Sequence, residues 1–414
     1  MAAVLLAVAG CGTSDSGGSA KGAGDTLKTE TATDLLGPEK KATGEPVKIG
    51  LVSDGATSAF DNTDELRAGE ATAQFFNEHR GGIAGRPVEL ITCSTGGTPD
   101  GVRNCANEMI QKDALVVAQS QSILTGQLWD ALHPAGVPTW FTQAQGDQME
   151  VDKQSTFIVF NPQAVFFGLP VAVAEANKVK KISFVVIDVP QAVEIITNGG
   201  GDLLKKAGYD YDVVRVPIGT ADMTAQMQQV ATSGAGVVQV IGNDAFCISA
   251  FQGLKAVSYT GSITAISQCI TNATREAMPG GLQGINVMST LALGVPDDQT
   301  YQLYQAVMTK YGSKVTDVNN LTSLGGYGAV ASLLTALQGL PAGSVTRDAA
   351  VQAIRAMPKS PYPGGGGMTY QCNGQADPPK PPVCTNQWLR TELDANGLPT
   401  TYTVEDSTSL LTTG

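Results

Sequence analysis

Val47-Lys48-Ile49-Gly50-Leu51-Val52-Ser53 and, further on, Val88-Glu89-Leu90-Ile91-Thr92 bracket the stretch on which the reading of this chain turns. The first run is short and mostly apolar. Gly44-Glu45-Pro46 precedes it and Asp54-Gly55 follows it, the punctuation of a buried parallel strand between turns. From Thr63 to Asn77 the residues Leu66, Ala73 and Phe76 recur at helical spacing, with Gly69 on the same face. Gly81-Gly82 stops that helix, Ile83-Ala84-Gly85-Arg86-Pro87 makes a turn, and Val88 launches a second strand. Strand, helix and strand in this order form a βαβ unit, the opening of a parallel sheet.

The same alternation continues along the chain. Helices are expected over Pro99–Gln111 and from Ser120-Gln121-Ser122 through Leu132, with strands at Ala114–Ala118 and Val137–Phe141. A change of register at Thr156–Asn161 precedes a long helix from Val165 to Asn177. The pattern then restarts: strands Lys181–Ile187, Asp212–Pro217, Val237–Ile241 and Ile263–Ile266 alternate with helices Glu194–Ala207, Thr224–Thr232 and Ile248–Ala256. Two successive sets of strand-helix alternation are what two doubly wound α/β lobes produce. Helices follow at Asp298–Tyr311, Ser323–Leu340 and Thr346–Ala356, the second with Gly325, Gly326 and Gly328 for close packing or a bend. Pro361–Pro382 reads as a Gly- and Pro-rich surface excursion. Trp388–Thr391 and Thr401–Val404 read as closing strands around an Asp394-Ala395-Asn396-Gly397 turn.

Phe76-Asn77-Glu78-His79-Arg80-Gly81-Gly82-Ile83-Ala84-Gly85-Arg86-Pro87-Val88-Glu89-Leu90 resembles the N-x-x-GGI-x-GR-x-VEL segment of type I periplasmic binding proteins, and within that fold the branched-chain amino acid (Leu/Ile/Val) receptor family. The resemblance covers Val47 to Val404 and thins over the last 50 or so residues. It implies two Rossmann-like lobes joined by a three-strand hinge, with one small ligand in the cleft between them and closure on binding. Ile285–Leu293 resembles the segment that returns the chain to the first lobe. Residues 47–160 and 286–388 are thus expected in lobe I, and residues 161–285 and 389–414 in lobe II.

Length and composition agree with this. The chain of 414 residues suits two domains, and 42% apolar against 15% charged residues permits a sizeable core. With 26 basic and 38 acidic residues the net charge is −12, which argues against nucleic acid or a polybasic membrane patch as partner. Met1–Gly10 is small and apolar and ends Val8-Ala9-Gly10-Cys11. It resembles a lipobox, with the lipid carried on Cys11. The basic n-region and long h-region of a signal are missing, so the true start is expected upstream. Residues 11–46 read as a flexible tether with a span of about 30 Å. No run of about 20 apolar residues follows. Localisation on the outer face of the cell membrane, through the lipid alone, is the expectation.

Setting Cys11 aside leaves Cys93, Cys105, Cys247, Cys269, Cys372 and Cys384, an even set in an extracytoplasmic chain. Short separations favour Cys93–Cys105, Cys247–Cys269 and Cys372–Cys384. A metal site is the rival, but there is no Cys-x-x-Cys and there are two histidines, His79 and His133. No metal or cofactor is expected.

In open α/β sheets ligands bind beyond the carboxyl ends of the strands. Carrying the family's cleft over by position implies a candidate set. Gln121 and Ser122 fall on a Ser-rich loop suited to a ligand carboxylate; Ser122 reads equally as a helix N-cap. Thr142, Gln143, Ala144 and Gln145 fall on the second such loop, where the family's Ala-Thr pair reads Ala144-Gln145. Phe60 matches a position where an aromatic ring closes over the ligand, or is an ordinary lobe-edge residue. Gln163 follows the Thr156–Asn161 segment. From the second lobe come Asp188, Gln191, Asn243 and Asp244, the two acids also reading as turn or cap residues. Gln268 falls near the family's ammonium-pairing glutamate. Tyr327 is a further candidate. This set is rich in amides and poor in charge, which suits a neutral polar or carbonyl-bearing ligand better than a zwitterion.

G-x-G-x-x-G, G-x-S-x-G, a P-loop and H-E-x-x-H are all absent from the sequence, which argues against an enzyme. The resulting expectation is a monomeric solute-binding lipoprotein that delivers its ligand to an ABC transporter permease. The alternative is a ligand-sensing co-receptor of the same fold.

Overall fold

The computed structural model describes residues 34–412 apart from Ser58, Ala59 and Gln121, and of Pro190, Gln191, Glu194 and Asn198 the backbone. Cys11 and the lipobox lie outside these residues.

The opening motif folds as its residues dictate. Strand β1 (Val47–Ser53) is buried at six of its seven positions. Helix α1 (Thr63–Phe75) runs on into a π-turn at Phe76–Arg80, and Gly81 ends it with a left-handed φ of 73°. Ala84 and Gly85 take φ of 54° and 78°, and Ile83 and Arg86 exchange backbone hydrogen bonds across them at 2.9 and 2.8 Å. That is a two-residue turn of the kind that needs positive φ at both central positions. Asn77 then fixes where β2 (Val88–Ser94) begins: its amide accepts from the Val88 N–H at 2.7 Å and donates to the Val88 carbonyl at 2.9 Å.

The first unit continues with α2 (Pro99–Gln111), β3 (Val117–Gln119), α3 (Thr125–Leu132), β4 (Thr139–Phe141), a short α4 (Asp147–Val151) and β5 (Thr156–Phe160). After α5 (Pro162–Ala176) come β6 (Lys181–Ile187) and a long helical stretch, made of α6 (Pro190–Ile195), a π-turn and α7 (Gly201–Lys206). Then follow β7 (Asp210–Val216), α8 (Thr224–Thr232), β8 (Val237–Ile241), α9 (Asp244–Ala256), β9 (Ser262–Ile266), α10 (Asn272–Ala277) and β10 (Asn286–Ser289). The rest comprises α11 (Gln299–Tyr311), α12 (Leu321–Ala336), α13 (Arg347–Ala356), the two-residue strands β11 (Ser360–Pro361) and β12 (Thr369–Tyr370), β13 (Val383–Thr385), β14 (Gln387–Glu392), β15 (Thr403–Asp406) and α14 (Thr408–Thr412).

Two sheets result, ordered β13-β5-β4-β3-β1-β2 and β15-β14-β10-β9-β8-β6-β7. Pairing is parallel throughout the first sheet and among β7, β6, β8, β9 and β10 in the second. There, β14 and β15 add an antiparallel edge. This is the two-lobed α/β fold of the type I periplasmic binding proteins. The chain passes between the sheets three times: from β5 into α5 at Asn161, after β10, and from β13 into β14 at Asn386. Two of these crossovers are tied together. Buried Asn161 donates through Nδ2 to Asn386 Oδ1 at 2.9 Å.

Cys93–Cys105, Cys247–Cys269 and Cys372–Cys384 are all bonded as the spacing favours. Each closes a short loop, a constraint of about 3 kcal/mol in the chain-entropy model. Among the described residues no helix is long and apolar enough to cross a membrane.

Some expectations are corrected. Asn286–Ser289 pairs with β9 and β14 in the second sheet, so the return to the first lobe begins after Ser289, not at 286. Gln387 and Trp388 likewise belong to β14, not to lobe I. The tether expected over residues 11–46 is docked from Asp34 onward. Leu36 is fully buried, Arg80 donates to its carbonyl at 3.0 Å, and the N–H groups of Lys40, Ala42 and Thr43 donate to the Glu78, Asn77 and Gly85 carbonyls. One apolar side chain and a row of backbone bonds are enough to hold it. Pro361–Pro382 is not a surface excursion throughout, since Tyr362, Met368 and Tyr370 in it are core residues and the Tyr370 hydroxyl donates to the Ser332 carbonyl.

Candidate functional site

The loops that leave the carboxyl ends of β1 to β5 share one edge of the first sheet. They face the corresponding edge of the second across the crossovers. On that edge lies a cleft of about 370 Å³, within the size range of small-molecule sites. Gln145, Gly146, Asp147, Glu150 and Val151 line it from the β4 loop and α4, and Pro162 and Gln163 from the start of α5. Ile195 joins Pro162 and Gln163 on the second lobe's side, and Pro379 and Lys380 come from the segment before β13.

Local structure explains why these side chains converge. Gly146 has a φ of 154°, and its N–H donates to Glu150 Oε1 at 3.3 Å, folding the loop over α4. Asn161 caps α5, accepting from the Gln163 N–H at 3.0 Å, while its Nδ2 donates to Asp377 Oδ2 at 2.8 Å. The Gln163 amide therefore projects from a capped helix start, and a Cβ on Gly199 of the second lobe would be 3.4 Å from its Nε2. Lys380 and Glu150 form an ion pair, both mostly buried. Burial raises the Asp377 carboxyl above its usual range and Glu150 adds to this, while hydrogen bonding from Asn161 and the charge of Lys380 oppose it.

Of the sequence candidates, the structure brings Gln145 and Gln163 together in this cleft. Gln121 lies outside the described residues, as does the side chain of Gln191, which sits on α6. Phe60 is 37% exposed at the tip of the β1 loop, where its N–H donates to Thr57 Oγ1. Gln143 is half-buried. Asn243 caps α9 and accepts from the Phe246 N–H. Asp244 accepts from the Thr271 hydroxyl and the Ala245 N–H. Gln268 is exposed in the turn after β9.

Four candidates are buried or already engaged. Ala144 is 5% exposed and packs in the small apolar cluster with Leu128, Trp129 and Met149, as its apolar methyl favours. Tyr327 is 2% exposed and packs against Tyr304 in the core, the tilted rings 5.1 Å apart. Asp188 is held on the surface by Arg215, whose Nε and Nη2 donate to Oδ1 at 3.0 and 2.6 Å. Ser122 is not the α3 N-cap, a place taken by Leu124, and its hydroxyl is committed. It donates to Asp54 Oδ1 at 2.8 Å and accepts from the Leu124 N–H. Thr142 is similarly engaged, donating to the Ser120 carbonyl.

Sequence reading missed Asp54, Asp147, Glu150, Ile195, Asp377 and Lys380. Asp54 was legible as the first residue past β1, at the carboxyl end where ligand groups gather. Lys380, in the lining, and Asp377, behind it on Asn161, carried no local signal, since the chain reaches both only after crossing between the sheets.

A second hollow of about 360 Å³, lined by Trp129, Asp130, His133, Pro134, Gln148, Val151 and Asp152, lies in the first lobe alone. Its polar groups are largely satisfied among themselves. The His133 ring stacks on Trp129 with centroids 4.4 Å apart, and Trp129 Nε1 donates to Thr156 Oγ1. Asp152 accepts from the Gln154 and Ser155 N–H groups and the Thr156 hydroxyl. Burial raises its carboxyl, but those donors outweigh it and hold the group below its ordinary range. The interlobe cleft is the better candidate. Among the described residues no cluster of three or more His, Cys, Asp or Glu could hold a metal ion.

No curated protein matches this sequence significantly. Solved structures share its fold at low identity. An ABC transporter solute-binding protein from Rhodopseudomonas palustris HaA2, in complex with p-hydroxybenzoic acid, is 18% identical with a TM-score of 0.69. That match covers 87% of this chain and 97% of the other. The branched-chain amino acid transporter substrate-binding protein from Streptococcus pneumoniae, in complex with isoleucine, is 14% identical with a TM-score of 0.66, over 87% and 100%. A fatty acid ABC transporter substrate-binding protein from Thermomonospora curvata is 14% identical with a TM-score of 0.68, over 89% and 94%. A family model described as periplasmic binding protein matches residues 46–380, so the chain belongs to the periplasmic binding proteins, an extracytoplasmic class of solute receptors.

Proposed function

We propose that this protein is the solute-binding lipoprotein of an ABC importer, held through Cys11, whose two lobes close on a neutral polar ligand with an apolar part. The closing units are residues 47–160 with 290–386, and residues 161–289 with 387–412. The observation that carries the ligand class is the cleft lining. The amides of Gln145 and Gln163, which both donate and accept, stand beside Ile195, Val151, Pro162 and Pro379. Lys380, the cation of the lining, is already paired with Glu150. Such a surface offers an α-carboxylate no uncommitted positive charge and a neutral amide or carbonyl several partners. The three ligands named above for proteins of this fold all carry a carboxylate and otherwise differ in kind, and at 14–18% identity the fold does not carry that group over to this cleft.

A thermal-shift screen of the protein, with paired probes such as N-acetyl-L-leucine and N-acetyl-L-leucinamide or benzoate and benzamide, and with leucine and valine themselves, tests this. A ligand at 100 times its dissociation constant stabilises by about 2.7 kcal/mol, a shift of a few degrees for lobes of this size. A response to the amide members supports the reading. Tight binding of leucine or valine sinks the ligand class, and turnover of any probe sinks the receptor.

A further inference from the structure

Asp54, the first residue past β1, is 1% exposed, and the donors around it come from two neighbouring loops. Thr95 Oγ1, past β2, and Ser122 Oγ, past β3, donate to Oδ1 at 2.9 and 2.8 Å. The Ile123 N–H donates to Oδ2 at 3.1 Å. Among the described residues no lysine, arginine or histidine lies within ion-pair distance of it. Neutral hydroxyl and backbone donors converging at the carboxyl edge of a parallel sheet are what this architecture presents to an anion. Here the anion is part of the chain. Above it, Thr57, Gly97 and Ile123 approach one another, and Ile123 remains 48% exposed on the rim. The cleft on the same edge adds no compensating charge: its lining holds Asp147 and Glu150 against Lys380.

We infer that Asp54 is an internal carboxylate that occupies the anion-binding position of this edge and thereby sets the receptor against ligands with a free carboxylate. A free acid meets donors already engaged and a lining with more acids than bases. A neutral or amine-bearing ligand meets neither obstacle. The inference rests on the cleft being the ligand site, and it names the residue that decides the ligand's charge class.

The test compares wild type with Asp54→Ala by isothermal titration and thermal shift, using formate, benzoate and L-leucine at constant ionic strength with chloride as control. Wild type is expected to respond to none of the three. The variant is expected to take formate and to bind benzoate or leucine at least about tenfold more tightly than wild type, the scale of a charge-assisted hydrogen bond. If the variant melts cooperatively only when an anion is added, rescue by benzoate or leucine as well as by formate supports the inference. Response of the variant to formate alone, folded or rescued, makes Asp54 a structural carboxylate and overturns it. So does no response at all, or equal affinity of both proteins for the acids. Failure of the cleft reading looks different: no probe of any class then binds wild type, whatever the variant does with formate.

Discussion

Asp377 shows how one residue can be tuned by parts of the chain that are far apart in sequence. Burial raises its carboxyl, and Asn161 and Lys380 only partly offset that. A carboxyl whose folded-state value lies above the unfolded one contributes stability below its ordinary range and loses it as pH rises through the folded value. Asp377→Asn stays neutral at every pH and can still accept from Asn161. The variant is expected to melt above wild type near about pH 8 and to converge with it near about pH 3, around the ordinary carboxylate range. Melting curves across that span check it, and a gap that widens toward acid pH would contradict the assignment. Residue-scale features that depend on immediate neighbours were readable in sequence. The Asp394–Gly397 turn is one, with Asp394 Oδ1 accepting from the Asn396 and Leu398 N–H groups. The fate of Ser122 was not readable, because its partner Asp54 is 68 positions away.

At the scale of elements, the Gly-rich start of α12 is where the pattern's two options resolve. Gly325 and Gly326 permit close packing: a Cβ on Gly326 would stand 2.2 Å from the Glu65 carbonyl oxygen of α1. Backbone cannot yield there as a flexible side chain could. Gly326→Ala is expected to destabilise by about 1–3 kcal/mol, the range for overpacking a well-filled interface. The midpoint of urea unfolding reads this out, and a loss under about 0.5 kcal/mol would mean that α12 can shift away from α1 at little cost. Strands Lys181–Ile187 and Val237–Ile241 and helices Pro99–Gln111 and Thr224–Thr232 were legible to the residue, since their apolar spacing and flanking breakers agree. Short α4 and α10 were not, because so few residues carry too little periodicity to stand out.

At the scale of the whole molecule, the proposed function requires the two lobes to close on the ligand across the three crossovers. Small-angle scattering is expected to show a smaller radius of gyration when a stabilising ligand saturates the protein, and no change would point to a rigid cleft. Sequence by itself determined the two α/β lobes and the disulfide pairs, because apolar periodicity, turn residues and short cysteine separations are local properties, and the resemblance of Phe76–Leu90 pointed to the family. It also determined that amides, not charges, dominate the candidate set. Tertiary structure decided which of them share a surface. Gln145 and Gln163 meet beside Ile195 and Lys380, whereas Tyr327 and Ala144 go to the core and Asp188 to a surface ion pair. It also decided that Asn286–Ser289 stays in the second sheet. The physical reason is common to all of these. A side chain's surroundings depend on which strands become neighbours and where the chain crosses between sheets, and neither is encoded within a turn or two of the residue itself.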